Sequence, residues 1–144
     1  MSSQSPGASA PGAALRFRLL WLAIGYALVA STAYNSLHSS PPAWAFIAGD
    51  DWLHASTYFV LTFWFGQLYT GRLMQVGVAL AFIVFGAVIE LLQAHLIPYR
   101  LYELSDLAAN TAGAAFAWAT LRTPAAQLLP QIDRVLFRMT SARD

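Results

Sequence analysis

The chain has no cysteine and no lysine, and only 10% of its 144 residues are charged. Without cysteine there is no disulfide, thiolate nucleophile, iron–sulfur ligand set or zinc ribbon. Any chemistry therefore falls to carboxylates, histidine, arginine and tyrosine. A soluble domain carries about a quarter charged residues. A charged fraction of 10%, beside 58% hydrophobic residues and a mean hydropathy of +0.52, excludes an ordinary soluble globular domain. The net charge of +1 provides no basic face for nucleic acid, which is excluded as a partner because its binding needs clustered Lys and Arg.

What the chain does have is long apolar stretches. Four membrane helices of about 20 residues would use roughly 80 positions and leave only short loops. Residues 1–14 are rich in Ser, Pro, Gly and Ala, with no apolar period, and read as a disordered tail. Residues 17–37, with Arg16 and Arg18 at their start, are long enough to cross a bilayer core. A cleaved signal peptide competes at this segment, but the apolar stretch is longer than a usual signal core. Residues 38–51 combine Pro41-Pro42 with Trp44 and Phe46 and should lie along a membrane surface. A second span is predicted over 52–69, closed by Gly71 and Arg72, and a third over 73–96, ended by Pro98. Ser105 is the expected N-cap of a fourth helix over 106–121, which Pro124 stops. In the tail, Ile132, Val135, Leu136 and Met139 recur at helical spacing opposite Asp133, Arg134 and Arg138, as in a helix lying on a membrane surface.

The expectation is thus an all-α integral membrane bundle of four transmembrane helices. Its parts are a disordered tail at 1–14, a four-span domain at 15–123 and a cytoplasmic amphipathic tail at 124–144. With four spans, Arg16, Arg18, Arg72, Arg122, Arg134, Arg138 and Arg143 share one side and Arg100 stands alone on the other. The positive-inside rule then places both termini in the cytoplasm.

At 100° per residue, Asp51, His54 and Tyr58 share one face of the second helix. Glu90 and Gln93 share a face of the third, with Gly86 one turn deeper. In the fourth helix, Asp106, Asn110, Gly113 and Ala117 form a stripe that is polar at its top and small below, a seam that lets helices approach closely. All these polar groups lie toward the outer ends of their helices. Intramembrane charges are costly, turn inward and pair, so the three helices should share one outer pocket, with Arg100 at its mouth to pair with Glu90 or Asp106 or to clamp an anion bidentately.

Taken in order, Asp51-Trp52-Leu53-His54 with Tyr58, Glu90-Leu91-Leu92-Gln93, Arg100, and Ser105-Asp106 with Asn110 and Gly113 resemble the VanZ-like family of membrane proteins over about residues 50–120. The family pattern has Lys after the first Asp and Phe after the His, where this chain has Trp52 and Ala55. The resemblance implies a small multi-pass protein of the bacterial cell membrane. It also implies a link, through the founding member, to low-level resistance to the glycopeptide teicoplanin. No settled activity comes with it.

The candidate ligand-binding residues are Asp51, His54, Tyr58, Glu90, Gln93, Arg100, Asp106 and Asn110, and His54, Glu90 and Asp106 are the candidates for catalysis. Each also has a structural reading: His54 as a helix cap, Glu90 as a protonated lock on Asn110, and Gln93 and Asn110 as interhelical hydrogen-bond glue. The preferred function is non-enzymatic binding of membrane lipid, a lipid-linked envelope precursor or an amphiphilic antibiotic. The alternatives are an intramembrane enzyme acting on a lipid or lipid-linked phosphate, in which Arg100 holds the phosphate and His54 transfers protons, and a structural accessory subunit. Carboxylates with His54 would suit a hard divalent ion, but no ligand spacing marks a metal site, and neither metal nor cofactor is expected. A haem bundle built on His38, His54 and His95 is disfavoured.

Overall fold

The protein is described here from a computed structural model, over residues 15–38, 50–97 and 103–142. Among these residues every regular element is helical. The elements are α1 (Arg18–Leu37), α2 (Asp50–Leu68), α3 (Arg72–Leu96), α4 (Leu104–Thr120), a 3₁₀ turn (Pro124–Gln127) and α5 (Leu128–Ser141).

Local chemistry explains most of the boundaries. Gly71 has φ +107°, a conformation that suits glycine, and it reverses the chain between α2 and α3. Ile97 is extended, as the residue before a proline must be, and α3 ends there. Pro124 stands at the start of the 3₁₀ turn, where its missing N–H costs nothing, and Thr123 caps that turn by accepting from Ala125 N. The structure starts α4 at Leu104 with Glu103 in the N-cap position, so Ser105 is inside the helix and does not cap it. The predicted surface segment at 38–51 and the turn around Pro98, Tyr99, Arg100 and Tyr102 lie mostly outside the described residues.

Side-chain bonds establish the helix directions. Gln93, near the end of α3, donates to Ser36 O, near the end of α1, at 2.7 Å, so these helices run parallel. His54 at the start of α2 meets Glu90 near the end of α3 and Asp106 at the start of α4. The order is therefore up, down, up, down, with α2 packed against α1, α3 and most extensively α4. The α2–α4 contact is a backbone approach: a Cβ on Gly113 would overlap the carbonyl oxygen of Ala55. The small-residue seam is consumed within the bundle.

An aromatic core fills the lower half. Trp21 meets Trp64 edge-on at 5.9 Å, and Phe65 lies 5.4 Å from Phe82. The exterior is apolar and much of the interior polar. On α3, Gln75, Gly86, Glu90 and Gln93 are buried. Leu73, Leu80, Val84, Val88 and Leu91 are exposed, Leu73 by 83%. This helix is long and apolar enough to cross a membrane.

One sequence expectation is overturned at the lower end. Asp133 does not join Arg134 and Arg138 on a solvated face. It is buried at 2% exposure, while Ile132, Val135 and Met139 are exposed. The carboxylate accepts from Arg16 N at 2.7 Å, Phe17 N at 3.0 Å and Trp21 Nε1 at 2.7 Å. It therefore pins the segment that leads into α1, and the Trp21 indole in the helix's first turn, to α5. Burial alone would push this carboxyl up. The Trp21 and backbone N–H donors outweigh it, with help from the Arg16 charge, and hold the carboxyl below its ordinary value.

Candidate functional site

The site begins with one histidine on the first turns of α2. His54 Nδ1 lies 3.0 Å from Asn110 Oδ1. A side-chain amide oxygen only accepts, so Nδ1 carries the proton and donates. In neutral His54 the lone pair then sits on Nε2, which faces Asp106 Oδ2 at 3.5 Å. Glu90 Oε1 closes the other side, 3.9 Å from Nδ1. Both carboxyl side chains are 1% exposed and His54 is 12% exposed.

Why these groups meet follows from helix geometry. Asp106, Asn110, Gly113 and Ala117 stand three or four apart and form the buried face of α4. With Gly113 letting α4 ride on the α2 backbone, Asn110 and Asp106 are carried to the first turns of α2, where His54 is. Glu90 sits six residues before the end of α3, about 9 Å below it at 1.5 Å rise per residue. One turn further down, Gly86 supplies room: a Cβ there would stand 3.0 Å from Asn110 Nδ2 and 3.1 Å from the Tyr58 ring. Tyr58 is 3% exposed, and its hydroxyl has no hydrogen-bond partner among the described residues.

The structure thus brings together His54, Tyr58, Glu90, Asp106 and Asn110. Asp51 is exposed, apart from the buried group. Gln93 is buried and donates its amide N–H to Ser36 O, which makes it a tie between α1 and α3, while its Oε1 has no hydrogen-bond partner among the described residues. Arg100 lies outside the described residues. His95 is exposed and bonded to Leu91 O on its own helix at 2.9 Å. His38 is exposed and lies against Tyr34.

Two features escaped sequence reasoning. A cleft of about 250 Å³ between α1 and α2 is lined by Leu28, Ser31, Thr32, Ser56, Thr57, Val60 and Leu61. Four of these residues carry hydroxyls, and only the pairing of two helices makes them one surface. The second is Gly113 on Ala55, where spacing revealed a seam but not its partner.

Chemically, the cluster can accept and pass a proton through His54, receive donor groups on its carboxylates, or hold a cation. One atom from each of His54, Glu90 and Asp106 lies within 4.8 Å of the others. Compared with protein-family models, with curated proteins and with solved structures, the chain matches none.

Proposed function

We propose that this is a four-span protein of the bacterial cell membrane, of the VanZ-like kind, whose outer-leaflet end binds an envelope amphiphile: a membrane lipid, a lipid-linked precursor or an amphiphilic antibiotic. The observation that carries the reading is the convergence of His54, Glu90, Asp106 and Asn110 from three helices into one buried cluster. An ionisable group in a membrane helix is expensive to keep and marks a functional site by default. The apolar exterior beside a polar interior supports the membrane setting. Both the cluster and the hydroxyl-lined cleft lie toward the end of the bundle that the arginine distribution assigns to the outside.

In this reading the four hydroxyl-bearing residues of the cleft meet the polar headgroup, and Leu28, Val60 and Leu61 meet the chain below it. Shielding of such an amphiphile changes how the envelope responds to teicoplanin, the property the resemblance suggests.

The test is capture. The full chain, in micelles, is incubated with extracted envelope lipids and analysed by mass spectrometry, beside Glu90→Gln, Asp106→Asn and His54→Gln. The expected result is an intact co-purified amphiphile that the three variants lose while still assembling. Equal retention by all three variants would leave the cluster with packing alone. A chemically altered lipid would instead support an intramembrane enzyme, which the His54–Asp106 pair at 3.5 Å favours as an acid–base dyad. Topology is checked with cysteines at Trp44 and Arg72. Labelling from outside intact cells should reach position 44 and spare position 72, and the reverse pattern would invert the assignment.

A further inference from the structure

We propose that His54, Glu90 and Asp106 form a binding site for a divalent transition-metal ion of the Zn²⁺ or Mn²⁺ class; the proposal rests on reading this cluster as the ligand end of the molecule. One atom from each residue lies within 4.8 Å of the other two, and His54 Nε2 and Asp106 Oδ2 are 3.5 Å apart. Two ligands held about 2.1 Å from one ion stand about 3–4 Å from each other. His54 Nε2 and Asp106 Oδ2 already face each other, and Glu90, which lies 3.9 Å from the Nδ1 edge of the ring, swings its carboxylate toward Nε2 to join them on a common ion.

The donor set selects the class. One imidazole nitrogen with two carboxylate oxygens is poor for Ca²⁺, which takes six to eight oxygens. It is also poor for copper(I), which prefers sulfur. Imidazole suits Zn²⁺, and carboxylates suit Mn²⁺. Three protein ligands leave a coordination position open, the arrangement that Zn²⁺ sites use when they also bind a further molecule. In this site the further molecule is the anionic headgroup of the bound amphiphile.

Two observations beyond the ligand set point the same way. Asn110 Oδ1 accepts a hydrogen bond from His54 Nδ1–H at 3.0 Å, which leaves Nε2 as the metal-facing lone pair. Metal-bound histidines are held in just this manner by a partner on their other nitrogen. The Tyr58 hydroxyl and the Asn110 amide nitrogen are both buried without a hydrogen-bond partner, and both side chains converge on Gly86, one turn below Glu90. They would donate to the water or headgroup oxygen that completes the coordination of the ion.

The experiment uses the full chain purified without a polyhistidine tag, in micelles, stripped with chelator and titrated separately with Zn²⁺, Mn²⁺, Mg²⁺ and Ca²⁺. Bound metal is measured by elemental analysis after gel filtration, and Co²⁺ is added as a spectroscopic probe of the ligand field. One equivalent of Zn²⁺ or Mn²⁺ per chain is expected, with Mg²⁺ and Ca²⁺ failing to compete. His54→Gln, Glu90→Gln and Asp106→Asn should each weaken binding tenfold or more while eluting and melting as folded proteins. His95→Gln, on an exposed residue outside the cluster, should bind as the parent does. Absence of stoichiometric binding in the parent chain, or binding that survives His54→Gln, overturns the proposal. Amphiphile capture that persists in chelator while no ion binds removes the metal and leaves the binding function standing. An ion bound without any amphiphile keeps the site and removes that function.

Discussion

Asp133 gives the most quantitative prediction. Its carboxylate is buried and takes three donors: Arg16 N and Phe17 N just before α1, and the Trp21 indole N–H. A hydrogen bond to a charged group contributes about 1.5–3 kcal/mol, but three bonds on one carboxylate share that charge and do not add. Asp133→Ala leaves three donors near the base of α1 without an acceptor and should cost about 3 kcal/mol. Asp133→Asn keeps one oxygen but turns an NH₂ group toward a donor, and should cost about 2 kcal/mol. Trp21→Phe removes one donor, and the double-mutant cycle with Asp133→Ala should show a coupling of about 1–1.5 kcal/mol. Because the folded carboxyl titrates below its ordinary value of 3.8, its stabilisation is complete above that value and fades as pH falls through the lower folded one. The gap between parent and Asp133→Asn should therefore close only in strong acid. Reversible unfolding in mixed micelles, followed by Trp fluorescence, measures all of these. An Asp133→Ala variant within about 0.5 kcal/mol of the parent, or a cycle with zero coupling, would refute this role of the buried carboxylate.

Gly113→Ala drives a Cβ into the Ala55 carbonyl oxygen, a backbone atom that cannot rotate aside, so α2 and α4 must separate. It should cost upward of about 3 kcal/mol and reduce membrane assembly on gel filtration; normal assembly would contradict the close approach. Gly86→Ala meets the flexible Asn110 amide at 3.0 Å and the Tyr58 ring at 3.1 Å, so its cost should be smaller, about 1 kcal/mol. Its main effect should be lost amphiphile capture in a bundle that still assembles, and unchanged capture would detach Tyr58 and Asn110 from the site. Gln93→Leu removes the 2.7 Å bond to Ser36 O and should lower stability by about 1 kcal/mol without changing capture. Loss of capture in that variant would return Gln93 to the pocket.

The sequence by itself determined that the chain is helical and where its helices break. Long apolar runs favour helices, and Gly71, Pro98 and Pro124 punctuate them through backbone restrictions that no partner can override. It also identified the candidate cluster residues, because i, i+3 and i+4 spacing aligns Glu90 with Gln93 and Asp106 with Asn110 on single helix faces. Tertiary structure decided what those residues touch. Helical periodicity indicates which way a side chain faces but not what waits there, so only packing could place Asn110 on His54, divert Gln93 to Ser36 and leave Asp51 exposed. Asp133 shows the limit most plainly. It sits among arginines in sequence and looked solvated, yet its three donors come from a segment more than 110 residues earlier, brought close when α5 folds under the base of α1. Spacing along one helix reports on that helix alone, and the energy of a buried charge depends on the partners the rest of the chain delivers.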